Sequence, residues 1–328
     1  MPIVTLVEAV TQAIAYEMAQ DKNVVIFGED IAVNGGVFRA TVGLLEKFGP
    51  TRVMDTPLAE SMIAGIAVGM AAQGLKPIAE FQFMGFIYSG FDQMLSHAAR
   101  LRNRTRGRLS CPIVYRAPYG GGIHAPEHHS ESMEALFAHI PGIRVVIPSS
   151  PAKAYGLLLA AIRNPDPVLF LEPKRIYRLV KQDVPDNGEA LPLDQCFIVK
   201  EGSDVTLVTW GAMIKETVEA AAQLEKEGIS AEIIDLATIW PIDIHTIISS
   251  IEKTNHCVII HEAPRSCGVG AEIITQLNEY AFDLLKAPVQ RVAGYDTVMP
   301  YAQLEKYYMP SVERIVTAAM LALQQEQR

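Results

Sequence analysis

Short runs of apolar residues alternate with longer amphipathic segments through the first half of the chain. Thr5 and Glu8 have the spacing of a capping box, and apolar residues then recur at helical spacing up to Met18. The runs predicted to be strands are NVVIFGED, KPIAEFQF, CPIVYRAP, IRVVIPSS and DPVLFLEP. The segments predicted to be helices between them are ESMIAGIAVGMAAQG, FIYSGFDQMLSHAARLRNRT, SMEALFAHI and PAKAYGLLLAAIRN. Apolar strands separated by helices are typical of a parallel sheet that is covered on both faces.

The same alternation resumes after a stretch without a hydrophobic period. Residues 179–195 contain two prolines, one glycine and many polar side chains, so they are predicted to link two domains. The strands predicted beyond this linker are DVTLVTWG, SAEIIDLATIW, HCVIIHEA and PVQRVAG, and a final helix is predicted from about Ser311 to the end. The pattern therefore predicts an α/β protein with two doubly wound domains, residues 1–178 and 196–328.

Composition is that of a soluble protein of about two domains. The chain has 328 residues, of which 49% are apolar and 20% charged. We find no apolar run of about eighteen residues and no basic, cleavable leader. We therefore expect neither a membrane span nor a targeting segment, and we expect a cytoplasmic location.

Charge and cysteine usage argue against two further classes. The net charge of −9 disfavours nucleic-acid binding, which needs a basic surface. The arginine-rich stretch RLRNRTRGR is a local exception, and we interpret it as a solvated helix end or a subunit contact. The four cysteines lie far apart and form no C-x-x-C pair, which favours a reducing compartment and argues against structural zinc.

The loop YGGGIHAPEHHSES, residues 119–132, concentrates imidazole and carboxylate side chains. His124, Glu127 and His128 spell H-x-x-E-H, a pattern that binds zinc when it lies on one helix. Pro126 and the three preceding glycines disfavour a regular helix, so we do not expect a metal site here. A mobile loop with a catalytic imidazole beside a cleft is the better interpretation. The spacing does not identify which imidazole acts.

The segment DTPLAESMIAGIAVGMAAQG, residues 55–74, begins a helix with Glu60 and is rich in small residues. The small residues that would allow a second helix or a ligand to approach closely are Ala64, Gly65, Gly69 and Gly74. Glu60 is either a carboxylate favoured by the helix dipole or a proton-exchanging group whose pKa the apolar surroundings raise. Phe86 is either a core aromatic or a flat surface on which a ring stacks.

Eight stretches, spread over essentially the whole chain, carry a family resemblance. In order they are FGEDIAVNGGVFRAT, DTPLAESMIAGIAVGMA, PIAEFQF, CPIVYRAPYGGG, HHSES, PGIRVVIPS, EGSDVTLVTWG and HEAPRS. Together they resemble the β subunit of the thiamine-diphosphate-dependent first component of 2-oxoacid dehydrogenase complexes. The resemblance implies a pyrimidine-binding transketolase-like domain, followed by a smaller transketolase C-terminal-like domain.

The resemblance assigns roles to particular side chains. Glu60 matches the glutamate that hydrogen-bonds the aminopyrimidine ring of the cofactor and controls its proton transfer. Phe86 matches the aromatic that stacks on this ring, while Leu58 and Gln82 match other lining positions. His129 matches the loop histidine that assists acyl transfer to a lipoyl arm. The roles of His124 and His128 stay open, and shaping of the substrate funnel is one alternative.

The resemblance also implies components beyond this chain. Thiamine enzymes hold the diphosphate through Mg²⁺ on a G-D-G motif, and this sequence contains no such motif. The Mg²⁺ is therefore expected on an α subunit, in an α₂β₂ assembly that also binds the lipoyl acyltransferase core. A structural K⁺ is expected near the end of the first domain. Its ligand positions would be Ile113, Ala161, Ile162, Asn164 and Asp166.

The sequence leaves the choice of 2-oxoacid open. The loop GGGIHAPEHHSES is more like bacterial pyruvate-type β subunits, whereas LEPKRIYR and AGYDT are more like branched-chain ones. Because the loop would lie next to the substrate, we expect decarboxylation of pyruvate with acetyl transfer to the lipoyl group. Branched-chain 2-oxoacids and acetoin are the alternatives in this class. A single-chain synthase and a non-catalytic scaffold are alternatives from other classes.

Overall fold

The computed structural model describes residues 3–324, in which helices and strands alternate. The strands are β1 (Ile3–Thr5), β2 (Val24–Gly28), β3 (Val53–Asp55), β4 (Lys76–Glu80), β5 (Val114–Tyr119), β6 (Arg144–Val146), β7 (Val168–Pro173), β8 (Lys181–Asp183), β9 (Phe197–Lys200), β10 (Val205–Thr209), β11 (Ala231–Asp235), β12 (Thr238–Trp240), β13 (Cys257–Pro264) and β14 (Gln290–Gly294). The α-helices are α1 (Leu6–Gln20), α2 (Leu44–Phe48), α3 (Glu60–Ala72), α4 (Leu101–Arg104), α5 (Glu134–Ala138), α6 (Pro151–Arg163), α7 (Ile214–Lys226), α8 (Ile244–Thr254), α9 (Val269–Tyr280), α10 (Ala302–Tyr308) and α11 (Val312–Gln324). None of the helices within these residues is long and apolar enough to cross a membrane.

The chain divides into two compact units. The first comprises the chain up to Tyr119 together with Leu136–Leu193, and the second comprises Gly120–Ala135 together with the chain from Asp194 onward. The loop that carries the three histidines therefore belongs to the second unit. The domain boundaries predicted from the sequence stay a prediction.

A parallel sheet forms the centre of the first unit. Its strands lie in the order β6-β7-β5-β4-β2-β3, and every neighbouring pair is parallel. Every residue of β2, β5 and β7 is buried, as expected for strands that are covered on both faces. The capping box of Thr5 and Glu8 is present at the start of α1. The predicted doubly wound α/β architecture is confirmed.

A buried ion cluster joins three of these strands. The side chain of Arg116 on β5 is fully buried, and its Nε donates to Glu172 Oε1 of β7 at 2.6 Å. Arg116 also pairs with Glu80 of β4, and the hydroxyl of Tyr177 donates to Glu172 at 2.7 Å. Burial raises the pKa of Glu80 to about 7, against the lowering effect of Arg116. Removing one partner would leave uncompensated buried charge, so the cluster constrains the relative positions of the strands.

The segment predicted as one helix, residues 86–105, is not a single α-helix. A 3₁₀ helix spans Met84–Gly90, a π helix spans Gln93–Ala98, and α4 follows. A Cβ atom at Gly90 would lie 3.0 Å from the carbonyl oxygen of Glu60 and 3.1 Å from the Cβ of Ala64. Because the segment packs this closely on α3, its backbone follows the surface of α3 rather than a regular helical path.

The predicted linker contains a strand. β8 pairs with β1 in antiparallel register, with Ile3 opposite Asp183 and Thr5 opposite Lys181. All three β8 residues are exposed, so no apolar pattern marks this strand in the sequence. The first strand of the chain and the linker thus form a small two-stranded sheet.

The second unit contains a five-stranded sheet in the order β14-β13-β10-β11-β9. β9 is an antiparallel edge strand, and the other neighbouring pairs are parallel. The segment SAEIIDLATIW, predicted as one strand, forms β11 and β12 because Ala237 adopts a φ of 51° between them. Gly268 is the N-cap residue of α9. The final predicted helix is α11, and its predicted extension to the chain end lies outside the described residues.

Candidate active site

The strand order of the first unit creates a crevice at the carboxyl ends of β2 and β4. These neighbouring strands connect onward in opposite directions, β2 to β3 on one side and β4 to β5 on the other. Open α/β sheets bind ligands at such switch points, because the loops diverge there. The segments that follow β3 and β4 carry the residues predicted to line the cofactor, which are Leu58, Glu60, Gln82 and Phe86.

Glu29 directly follows β2 and exposes only 2% of its surface. Neither carboxylate oxygen makes a hydrogen bond of standard geometry within residues 3–324. Burial, followed by the charges of Glu60 and Asp30, raises the pKa of Glu29 to about 7, against the lowering effect of the Ala59 backbone amide. A carboxyl group with this pKa exchanges a proton near neutral pH, as a general acid or base must. Sequence reasoning did not select Glu29 as a site residue.

Glu60 is the first residue of α3 and lies half-buried at the same edge of the sheet. The N-cap residue, Ala59, offers no side-chain hydrogen bond to the helix. The Glu60 carboxylate is therefore the acidic group in the first turn, where the helix dipole favours negative charge. Its position satisfies the helix-start interpretation and also places it within electrostatic range of Glu29.

The small residues of α3 serve two different purposes. A Cβ atom at Gly65 would lie 3.3 Å from Gln93 Oε1, so Gly65 allows the π-helical segment to pack closely. A Cβ atom at Gly69 or Gly74 would meet nothing within 4 Å in the chain. Gly74 also has a φ of 89°, which favours glycine for its backbone conformation alone. Gly69 leaves the surface of α3 open.

Gln82 and Phe86 lie on the segment that follows β4. The Nε2 of Gln82 donates to Asp30 Oδ2 at 3.4 Å, which connects this segment to the loop after β2. Phe86 is half-buried, and its ring meets Phe83 edge to face with centroids 5.5 Å apart. An aromatic ring fixed in this way retains a face on which a planar ligand can stack.

Leu58 lies in the turn between β3 and α3 and is 79% exposed. The structure therefore brings Glu60, Gln82 and Phe86 to one edge of the sheet, with Leu58 at the exposed rim. This edge offers a carboxylate, an amide and an aromatic ring next to the buried, protonatable Glu29. Such a set of groups can bind a planar ring that contains nitrogen. The individual roles of these residues stay predictions.

Comparison with known proteins identifies the family of the chain. The family model described as transketolase, pyrimidine binding domain matches residues 3–180, and the one described as transketolase, C-terminal domain matches residues 194–315. A pyruvate dehydrogenase E1 component subunit beta from Acholeplasma laidlawii is 54% identical over 96% of this chain and 96% of that protein. The chain belongs to the transketolase-like family of E1 β subunits.

A second member of the family and a solved structure extend the comparison. The pyruvate dehydrogenase E1 component subunit beta of Bacillus subtilis is 46% identical over 99% of this chain and all of that protein. A split-gene transketolase, described as an inactive β4 tetramer, superposes with a TM-score of 0.82 over 98% of this chain and 99% of its own. Its 24% identity supports the fold alone.

The histidine loop of this E1 β family member is a turn held by hydrogen bonds, in the second unit. Residues Glu127–His129 form one 3₁₀ turn, and the His129 amide donates to the Pro126 carbonyl at 2.9 Å. The ring of His124 lies 3.0 Å from Glu305 and that of His128 lies 3.8 Å from Glu131, so these two rings face different carboxylates. Over the described part of the chain, no group of three or more His, Cys, Asp or Glu side chains is arranged to hold a metal ion.

The positions predicted to hold K⁺ lie around one loop of the first unit. The Ile113 carbonyl accepts the Val168 amide at 2.9 Å, and the Ala161 carbonyl accepts the Asn164 amide at 3.2 Å. Asn164 Oδ1 accepts the Asp166 amide at 2.9 Å. These contacts bring the start of β5 next to the end of α6, where helix carbonyl groups lack helical partners.

Asp166 has a partner of opposite charge at this loop. Arg102 Nε lies 2.5 Å from Asp166 Oδ1, so the carboxylate is already paired with a cation. A K⁺ ion at this loop would therefore be held through carbonyl oxygens rather than through this carboxylate. The cation site stays a prediction.

Proposed function

We propose that this chain is the β subunit of a pyruvate dehydrogenase that decarboxylates pyruvate and transfers the acetyl group to a lipoyl group. The observation that carries the proposal is the position of Glu60 beside the buried, protonatable Glu29 at the switch point of the sheet. Relatives that carry the name pyruvate dehydrogenase E1 component subunit beta, and that match this chain over nearly its whole length, support the reaction and the substrate.

The residues at the sheet edge suit the aminopyrimidine ring of thiamine diphosphate. Glu60 would accept a hydrogen bond from the ring, Phe86 would stack on its face, and Gln82 and Leu58 would line its edge. The cofactor, when bound, supplies the electron sink that decarboxylation of a 2-oxoacid requires. Glu60 would exchange a proton with the ring nitrogen, and the buried Glu29, whose pKa is raised to about 7, would be a second group able to exchange a proton near neutral pH.

An α subunit would complete this half-site. One face of α3 is apolar but exposed, with Met62 and Ile66 exposing 36% and 39% next to the exposed Leu58. A helix that is apolar on all sides is normally buried, and an exposed apolar patch is typical of an interface. The sequence contains no G-D-G motif, so the Mg²⁺ that holds the diphosphate would be bound by the α subunit. The α₂β₂ stoichiometry is the one that the family resemblance implies.

The second half of the reaction would use the loop of the second unit. His129 would assist transfer of the acetyl group to the lipoyl arm of the acyltransferase core. Its place in a 3₁₀ turn next to Pro126 keeps the imidazole half-buried rather than packed in the core. We further propose a cytoplasmic location and a structural K⁺ at the loop between α6 and β7.

The test is reconstitution of the chain with its α subunit, thiamine diphosphate and Mg²⁺. Glu60→Gln keeps the shape of the side chain but cannot carry the proton, so decarboxylation of pyruvate should fall by about two to four orders of magnitude. Glu46→Gln, at an exposed carboxylate in α2, is the matched control and should leave the rate unchanged. Near-normal turnover of Glu60→Gln would instead favour a non-catalytic scaffold.

A further inference from the structure

Two buried carboxylates of the second unit hold the backbone of the histidine loop. Glu262 on β13 is 2% exposed and accepts the Gly121 amide at 3.0 Å and the Ser132 hydroxyl. Glu305 on α10 is 3% exposed and accepts the Gly122 amide at 2.7 Å. Hydrogen bonds to an ionised acceptor are about twice as strong as neutral ones. These two side chains therefore constrain the loop strongly.

The glycines of the loop are what allow these contacts. A Cβ atom at Gly120, whose φ is 85°, would lie 2.4 Å from Glu262 Oε1. A Cβ atom at Gly121 would lie 2.3 Å from the Cε of Met299. At Gly120, both the positive φ and the nearby Glu262 carboxylate leave no room for a side chain, whereas the Met299 side chain that faces Gly121 has a flexible end. The anchoring carboxylate of Glu262 thus explains the glycine at position 120.

Glu305 and Glu262 contact different parts of the histidine loop. Glu262 anchors the two ends of the loop, through Gly121 and Ser132. Glu305 contacts the middle of the loop at His124, where it accepts the backbone amide at 3.2 Å and lies 3.0 Å from the ring Nδ1. His124 needs this support because its φ of 61° is uncommon for a residue other than glycine.

His129 lies between the Glu305 contact and the Ser132 anchor. The segment between them is short and internally bonded, since Ser130 donates its amide to the Glu127 carbonyl at 2.9 Å and its hydroxyl to the Ala125 carbonyl at 3.2 Å. A displacement at His124 would therefore carry the 3₁₀ turn with it.

We propose that Glu305 is a positioning residue for acyl transfer, which acts by holding His124 and through it the turn that carries His129. This inference rests on the proposed function, because it assumes that His129 assists acyl transfer. It assigns His124 the task of connecting the loop to Glu305, a role that the sequence alone did not supply. Glu305 itself stays buried and does not contact the substrate.

The first test measures the loop and is independent of activity. Glu305→Gln replaces one carboxylate oxygen by an NH₂ group, which cannot accept a hydrogen bond from a backbone NH. One of the two hydrogen bonds from the loop backbone is therefore lost, and the loop should open more often. Protease Glu-C cuts after Glu127, and mass spectrometry of the fragment ending there measures the opening in the reconstituted αβ complex. We expect cleavage to rise about fivefold or more, the change expected for one lost hydrogen bond. Glu305→Asp, which keeps the carboxylate, should restore part of the protection.

Two variants make this test specific. Glu232→Gln removes another fully buried carboxylate of the same unit, one that accepts the Gly202 amide at 3.3 Å far from the loop in the sequence. It should leave cleavage at Glu127 unchanged. His124→Ala removes the exposed ring that contacts Glu305 and leaves alanine at a φ of 61°, which alanine adopts less readily than histidine, so cleavage should rise in the same direction as for Glu305→Gln. Equal cleavage in wild type, Glu305→Gln and His124→Ala would overturn the proposal.

The second test separates positioning from a structural role. Glu305→Gln should lower acyl transfer to a lipoyl domain at least about fivefold more than it lowers decarboxylation with an artificial electron acceptor. Equal losses in the two half-reactions would contradict a role through His129. If the wild-type complex decarboxylates no 2-oxoacid, the proposed function fails, whereas the cleavage assay still decides whether Glu305 holds the loop.

Discussion

Glu29 and Glu60 interact across the loops that follow β2 and β3: burial raises the pKa of the Glu29 carboxyl, and the charge of Glu60 raises it further. With a pKa of about 7, Glu29 is partly protonated when the solution is neutral. In a fraction of the molecules at neutral pH, the pair therefore carries a proton at the edge of the sheet where we place the cofactor ring. The two carboxyl groups follow different strands, so the fold and not the local sequence creates the pair.

We expect Glu29→Gln to stabilise the chain at neutral and higher pH. The folded pKa lies above the ordinary value of 4.5, so the folded state binds this proton more tightly than the unfolded state does. Stability is therefore lost as the pH rises from about 4.5 through 7, by up to about 3 kcal/mol for a shift of this size. Glutamine keeps the shape and carries no charge, which removes this loss. Urea unfolding between pH 5 and 8 measures the difference.

The pH dependence is the decisive part of that measurement. The stability difference between Glu29→Gln and wild type should grow as the pH rises and then level off above about pH 8. Glu46→Gln, at an exposed position, should give a small difference that does not change with pH. A constant difference for Glu29→Gln would show that Glu29 ionises in the folded chain as it does in the unfolded chain.

We expect the purified chain alone to bind thiamine diphosphate weakly and to decarboxylate no 2-oxoacid. The sequence contains no G-D-G motif for the Mg²⁺, and the apolar face of α3 at Met62 and Ile66 is exposed next to Leu58. Isothermal titration with thiamine diphosphate and Mg²⁺ measures the affinity before and after addition of the α subunit. Tight, Mg²⁺-dependent binding by the chain alone would contradict the half-site.

We expect His129→Ala to affect the two half-reactions unequally. His129 lies in the loop of the second unit, whereas the residues proposed for the cofactor ring follow strands of the first unit. Decarboxylation with an artificial electron acceptor should persist, while acyl transfer to a lipoyl domain should fall by about two orders of magnitude. His139→Ala, an exposed histidine, is the control. If both half-reactions fall together, His129 has a general positioning role.

The regular parts of the fold were predictable because their residues are apolar without interruption. β2 and β7 are buried at every position, and α3 ends within a few residues of its predicted end. The irregular parts depend on tertiary contacts that have no local pattern. Gly90 packs on the Glu60 backbone, and this contact replaces one predicted helix by 3₁₀ and π segments. Ala237 takes a left-handed conformation that no sequence pattern predicts for alanine.

The candidate site was predictable only in part. The segment NVVIFGED showed two acids at the end of a buried strand, but only the fold brings Glu29 into range of Glu60. The resemblance supplied Gln82 and Phe86, and the fold places both after β4, with Gln82 next to Asp30 of the loop after β2. The anchoring of the histidine loop was not predictable, because Glu262 and Glu305 lie more than a hundred residues beyond the glycines that they hold.

We expect pyruvate to be preferred over 2-oxoisovalerate in the reconstituted αβ enzyme. The substrates differ by a methyl group against an isopropyl group, and each additional buried carbon contributes about 0.8 kcal/mol in a pocket that fits it. A pocket shaped for pyruvate has no room for the added carbons, so overpacking costs about 1 to 3 kcal/mol and the preference should be tens-fold. The histidine loop, which we expect next to the substrate, is held by Glu262 and Glu305 and cannot widen freely. The ratio of kcat/KM for the two acids measures the preference, and a ratio in favour of 2-oxoisovalerate would reverse the substrate assignment while leaving the role of Glu60 unchanged.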